Sequence, residues 1–189
     1  GRYLADQMSE VYSLQQHRKA FCLGNIMPDL RPSFLTTRHE FFGTFSQLQE
    51  KMRELIERNP EENNARVYWR RFGEVMHYMA DYFTFPHNRT YKGSLAEHNS
   101  YEAELKNCLK ECILSGNADS QLEEAKHFDS FEELVGYIRE RHACYLESPR
   151  CIADDIRFIL RVCYQVIQGI FQLCLRRQFH MEGRPVTAI

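Results

Sequence analysis

Residues 65–88 read ARVYWRRFGEVMHYMADYFTFPHN. The pattern is helical and stops before Pro86. A residue preceding proline is disfavoured in the α region, which predicts a helix end near Thr84 or Phe85. From residue 77 onward the polar groups are His77, Asp81, His87 and Asn88, and nearly everything around them is aromatic, aliphatic or proline. Two imidazoles and a carboxylate in so apolar a stretch need a reason, because burying ionisable groups without compensation is costly.

Helical patterning continues on both sides. An amphipathic helix is predicted over about residues 3–20, with Leu4, Met8, Val11, Tyr12 and Leu14 on its apolar face. Gly24, Pro28 and Pro32 break it, and Thr36 or Thr37 can cap a second helix. After the loop at 86–93, a fourth helix runs from about Ser94 to Leu114. Ser130 opens SFEE, a capping box leading into a helix to about Leu146. A long last helix follows from about Pro149 to Phe179, and residues 181–189 form a tail. No strand alternation or repeat is visible. The expected architecture is all-α: one domain over 1–189, a bundle of six or seven helices with ligand-bearing side chains pointing inward.

Composition narrows the function. The net charge is −2 and the pI about 6.5, which gives no support for electrostatic capture of nucleic acid or an anionic membrane. Seven cysteines without a CxxC pair read as reduced, buried thiols, pointing to a reducing, cytoplasmic setting; Cys108 and Cys112, four apart, read as core. No signal peptide is visible, and no apolar run is expected to reach the roughly 20 residues that span a bilayer. The helical pattern begins at residue 1 without a cap, as though residues preceded it.

His77 and Asp81 are four apart on one predicted helix, so they share a face one turn apart. His98 and Glu102 repeat that spacing on the next helix, and His87 lies in the loop between. Asp29, after Pro28, and His39, in the first turn of the second helix, bring the set to seven. Imidazole and carboxylate donors without thiolate suit zinc in a catalytic setting, though manganese or iron also accept them. Glu74 is a candidate acceptor for the other nitrogen of His77, with a salt bridge to Arg70 or Arg71 as the alternative. His17, His127, His142 and His180 complete no cluster, and the acids of ADD at 153–155 read as solvent-facing.

The order of these residues, with AFCLGNIMPDL, TTRH, HYMADYFTFPHN and HNSYE, resembles the zinc-dependent phospholipase C family and, more distantly, the single-strand-specific zinc nucleases. The match covers about residues 20–105. The resemblance implies one zinc held by Asp29, His39, His77 and Asp81, and another by His87, His98 and Glu102. It implies that Asp81 bridges to a further zinc, which in the family also takes the amino-terminal residue and an upstream histidine. Here residue 1 is glycine and the only earlier histidine is His17, twelve residues before Asp29. The expected cofactor is therefore zinc, two ions or three. The implied reaction is hydrolysis of a phospholipid or related phosphodiester by metal-activated water, with Asp81 spacing the ions and Asp29 serving as ligand and proton acceptor.

Two other readings stand beside it. A nuclease would use Arg38, Arg89, Lys92, Tyr78 and Tyr82 for phosphates and base stacking, but the balanced charge predicts no stable nucleic acid complex. A zinc-stabilised binding module would need a closed ligand set with no open position.

Overall fold

The computed structural model describes residues 1–30, 40–58, 64–149 and 151–181. Among these residues the chain is all-α, with nine α-helices, two single 3₁₀ turns and no strand. The helices are α1 (Arg2–Gln7), α2 (Tyr12–Gln16), α3 (Arg18–Gly24), α4 (Met27–Leu30), α5 (Phe41–Glu57), α6 (Ala65–Tyr82), α7 (Leu95–Leu114), α8 (Phe131–Glu147) and α9 (Ile152–Met181).

The predicted continuous helix over residues 3–20 is instead three short pieces, and a fourth piece, α4, carries Asp29. The break between α1 and α2 is stabilised by Gln15, whose side-chain amide donates to the carbonyls of Ala5 and Met8 at 2.8 and 3.0 Å. A side chain thus takes over carbonyls that a continuing helix would have used. The proposed caps Thr36 and Thr37 lie outside the described residues.

Later boundaries follow the sequence closely. Asn64 caps α6 by accepting from the Val67 amide, and α6 ends at Tyr82, two residues before the predicted stop. Ser94 forms a complete capping box with Glu97 at the start of α7. At α8 the Ser130 hydroxyl accepts from the Glu133 amide, while the Glu133 carboxylate reaches Asp129 rather than Ser130.

The core is built on α6 and α9. In α9, Ile156, Ile159, Val162, Cys163, Val166, Ile167 and Ile170 are all buried and form one apolar stripe, with Ile152 partly buried at its start. Residues 152–178 are, contrary to expectation, long and apolar enough to cross a membrane by length and composition, and 61% of the most apolar window is buried inside the molecule. Asp154 and Asp155, expected to face solvent, are also buried. Asp155 is completely enclosed: its carboxylate accepts from Tyr145 Oη at 2.6 Å, Tyr101 Oη at 2.9 Å and the Phe85 amide at 2.9 Å. One carboxylate from α9 therefore ties together α7, α8 and the 3₁₀ turn Phe85–His87.

Helices α3 and α6 meet at an all-glycine contact. A Cβ placed on Gly24 would stand 2.0 Å from the carbonyl oxygen of Arg70, and one on Gly73 would stand 2.1 Å from that of Phe21. Only hydrogen at both positions allows this approach. We expect Gly73→Ala to destabilise the fold by about 3 kcal/mol or more in urea denaturation, because backbone must move. Gly136→Ala meets open space within α8 and is expected to stabilise by about 0.5–1 kcal/mol. A neutral Gly73→Ala would refute the close crossing.

Candidate metal centre

The close crossing places the end of α3 against His77. The backbone carbonyl of Asn25 lies 2.9 Å from His77 Nδ1, so that nitrogen donates its proton there and Nε2 faces the site. The sequence offers Glu74 as a candidate for this role, with a salt bridge to Arg70 or Arg71 as the alternative. Glu74 instead lies 3.8 Å from Lys51 Nζ, and the partner of His77 is a backbone oxygen that no side-chain pattern announces.

His77 Nε2 lies 3.3 Å from Asp29 Oδ1 and 3.1 Å from Asp81 Oδ2. The other oxygen of Asp81 lies 4.0 Å from His87 Nε2. His87 Nε2 is in turn 2.8 Å from Glu102 Oε1, which is 2.9 Å from His98 Nε2. The structure thus joins Asp29, His77, Asp81, His87, His98 and Glu102 in one chain of contacts. His39, the seventh predicted residue, lies outside the described residues.

The two clusters have different walls. His77 and Asp81 come from one face of α6, as their spacing predicted. His98 and Glu102 come from α7 in the same way, and His87 is delivered by the 3₁₀ turn anchored on Asp155. The turn is held from its far side as well. Buried Asn88 donates to the Thr84 carbonyl at 2.9 Å, and its Oδ1 accepts from His142 Nε2 at 3.3 Å. Asp155 and His142, both dismissed from the sequence, are therefore supports of the site. Their partners are 70 and 54 residues away in sequence, beyond the reach of local pattern.

Burial is graded. His77 and His87 are enclosed, whereas the side chains of Asp29 and Glu102 are 52% and 42% exposed. The imidazoles form the floor and two carboxylates form the rim. Burial pushes both imidazole pKa values down. At His77 the charges and bonds of Asp81 and Asp29 outweigh it and hold the pKa up at about 10; at His87 those of Asp81 and Glu102 do the same. Burial pulls Glu102 upward, and its bonds from His87 and His98 overcome that and leave it below the usual range.

The donors fit a metal. His87, His98 and Glu102 offer ligand atoms that all lie within 4.8 Å of one another. Two atoms bound tetrahedrally to one zinc at about 2.0–2.2 Å are roughly 3.3 Å apart, close to the pair spacings at His77 and Glu102. The set contains nitrogen and oxygen only, and exposed rim carboxylates leave an approach from solvent.

Among the residues a nuclease would recruit, Tyr82 is unavailable. It is fully buried and hydrogen-bonded to Thr44 at 2.9 Å. Arg89 pairs with Glu40 and lies over Phe42, and Tyr78 packs edge-on against His77. Arg38 lies outside the described residues.

A family model described as zinc dependent phospholipase C matches residues 1–152. The chain belongs to the zinc-dependent phospholipase C family. The match extends well beyond residues 20–105, where the recognisable motifs lie, and takes in α8. It ends at the start of α9, whose Asp155 nevertheless anchors the His87 turn. Searches of curated proteins and of solved structures return no match.

The support behind His87 carries a pH dependence. His142 is buried, its ring stacked 3.9 Å from that of Phe41, and burial lowers its pKa from 6.5 to about 4. Above pH 6.5 the ring is neutral folded or unfolded; between 6.5 and 4 only the unfolded chain takes the proton. Stability should therefore fall by roughly 3 kcal/mol across that window through this group alone. We expect His142→Gln to flatten the slope of unfolding free energy against pH between those limits. An unchanged slope would contradict the burial of a neutral ring.

Proposed function

We propose that this protein is a zinc-dependent phosphodiester hydrolase of the phospholipase C type, acting on a phospholipid or a related phosphodiester. The observation that carries the proposal is the position of Asp81, whose two oxygens face His77 on one side and His87 on the other. Such a carboxylate is suited to spacing two ions. Asp29, His77 and Asp81, with His39, would hold one; His87, His98 and Glu102 would hold the other. A third ion would draw on Asp81 and on groups near the amino end of the chain.

Zinc held by these residues would lower the pKa of a bound water from about 15.7 towards 7 and would offset the charge of the phosphodiester. The protein's own groups do the rest. His77, its Nδ1 proton fixed on the Asn25 carbonyl, presents Nε2 in a single orientation. The enclosure of His77 and His87 keeps bulk water from their rings, which strengthens the electrostatic interactions inside. Asp29 stands at the solvent-facing rim, where its free oxygen is placed to accept a proton from the attacking water. A bond forms between the water oxygen and phosphorus, the bond from phosphorus to the alcohol oxygen breaks, and the alcohol leaves with a proton. The open rim favours turnover over a purely structural zinc module, which would close its ligand set.

Zinc analysis and hydrolysis of a chromogenic phosphodiester test this directly. We expect His87→Ala to lose about one zinc and to lower turnover more than about a hundredfold, with Asp29→Asn lowering turnover by about 10²–10⁴. Chelator should abolish hydrolysis, and zinc should restore it. Turnover indifferent to chelator would sink the proposal. Lipid micelles against single-stranded DNA distinguish the phospholipase from the nuclease.

A further inference from the structure

The face of α6 that carries His77 and Asp81 continues towards the helix start through Glu74, Arg71, Arg70 and Val67, at spacings of three and four. There it forms one wall of a cleft of about 570 Å³, with α5 as the other wall. Four cations line the cleft among the described residues: Lys51, Arg58, Arg70 and Arg71. Two carboxylates among them, Glu54 and Glu74, line it as well, so its described lining carries more cations than anions in a chain whose net charge is −2.

The cations are unevenly satisfied. Glu54 is shared by Arg71 at 3.1 Å and Arg58 at 3.5 Å, and Glu74 lies 3.8 Å from Lys51. Arg70 has no carboxylate partner among the described residues, and its Nε is buried without a hydrogen-bond partner. A buried guanidinium nitrogen left unpaired is costly, and Arg70 keeps a guanidinium that no carboxylate among the described residues neutralises at the cleft wall. Leu55, Val67 and Tyr68 supply an apolar floor, and the positive end of the 18-residue α6 opens into the cleft at Asn64.

We propose that this cleft is an anion site for a phosphomonoester group, separate from the candidate metal centre. A phosphomonoester carries about −1.5 to −2 charges at pH 7, and its oxygens suit the bidentate guanidinium donors that line the cleft. The cleft adjoins the metal centre. Lys51 Nζ sits 5.0 Å from the ring of Tyr78, which packs against His77, and Arg70 is seven residues, about 10 Å, before His77 along α6. The phosphate can belong to a substrate that reaches both sites or can be free in solution; the first case rests on the hydrolase reading.

Isothermal titration of the purified protein with inorganic phosphate tests the site, run with and without chelator. The cleft's binding should persist in chelator, which removes only binding at the metal centre. Arg70→Gln and the half-exposed Arg71→Gln should each weaken it at least about tenfold, with Arg70→Lys retaining part. Lys110→Gln, exposed on α7, should bind as wild type. No chelator-resistant binding at millimolar phosphate, or equal binding by both arginine variants, overturns the proposal. Competition by a phosphodiester bearing a second phosphate assigns the group to substrate; competition by glycerol 3-phosphate alone assigns it to a free phosphomonoester.

Discussion

The candidate metal centre depends on how closely α3 lies on α6. Two glycines bring the backbones together until a single methyl group would collide with a carbonyl. That approach carries the Asn25 carbonyl to His77 Nδ1, fixes which nitrogen faces inward, and leads directly into the short helix that bears Asp29. Move α3 outward and His77 loses its orientation and its rim carboxylate together. The geometry of the first cluster is thus a backbone property before it is a side-chain one.

The second cluster is supported differently. His87 stands on a single 3₁₀ turn, which has little stability of its own. It is held by an acceptor from α9 and an amide–imidazole contact from α8. Asp155 is a buried carboxylate kept by three donors, and burial still raises its pKa despite them. Such a group is expensive to bury, and what it secures is the position of a residue more than 60 places earlier in the chain. Between the two clusters, Asp81 presents one oxygen to each. Imidazoles and carboxylates here satisfy one another through protons; the same donors at nearly the same spacings suit a metal, which would compete with those protons.

Much of this was legible in the sequence. The helix-spaced pairs His77/Asp81 and His98/Glu102 are local periodicities, and local periodicity survives folding intact. The helix start at Ser94 and the cap at Ser130 are local too. The first twenty residues were misread because an amphipathic pattern does not reveal that Gln15 takes two carbonyls from the preceding turn. Glu74 is the acceptor candidate that sequence proximity offers for His77, and it is not the partner of Nδ1, because that partner is a backbone oxygen 52 residues away. Asp155 and His142 looked ordinary for the same reason: their partners are brought to them only by the fold. Buried acids in an apolar helix, as in ADD, are the one signal that could have singled out Asp155.

Zinc K-edge X-ray absorption on the purified protein addresses the central claim most directly, since it reads the donor atoms themselves. Six of the proposed ligands are imidazoles and carboxylates gathered by the structure, while the seven cysteines are all free thiols. The account predicts nitrogen and oxygen scatterers at about 2.0–2.2 Å, with imidazole outer-shell features and no sulfur shell. A sulfur shell near about 2.3 Å, or no bound metal to measure, would contradict it.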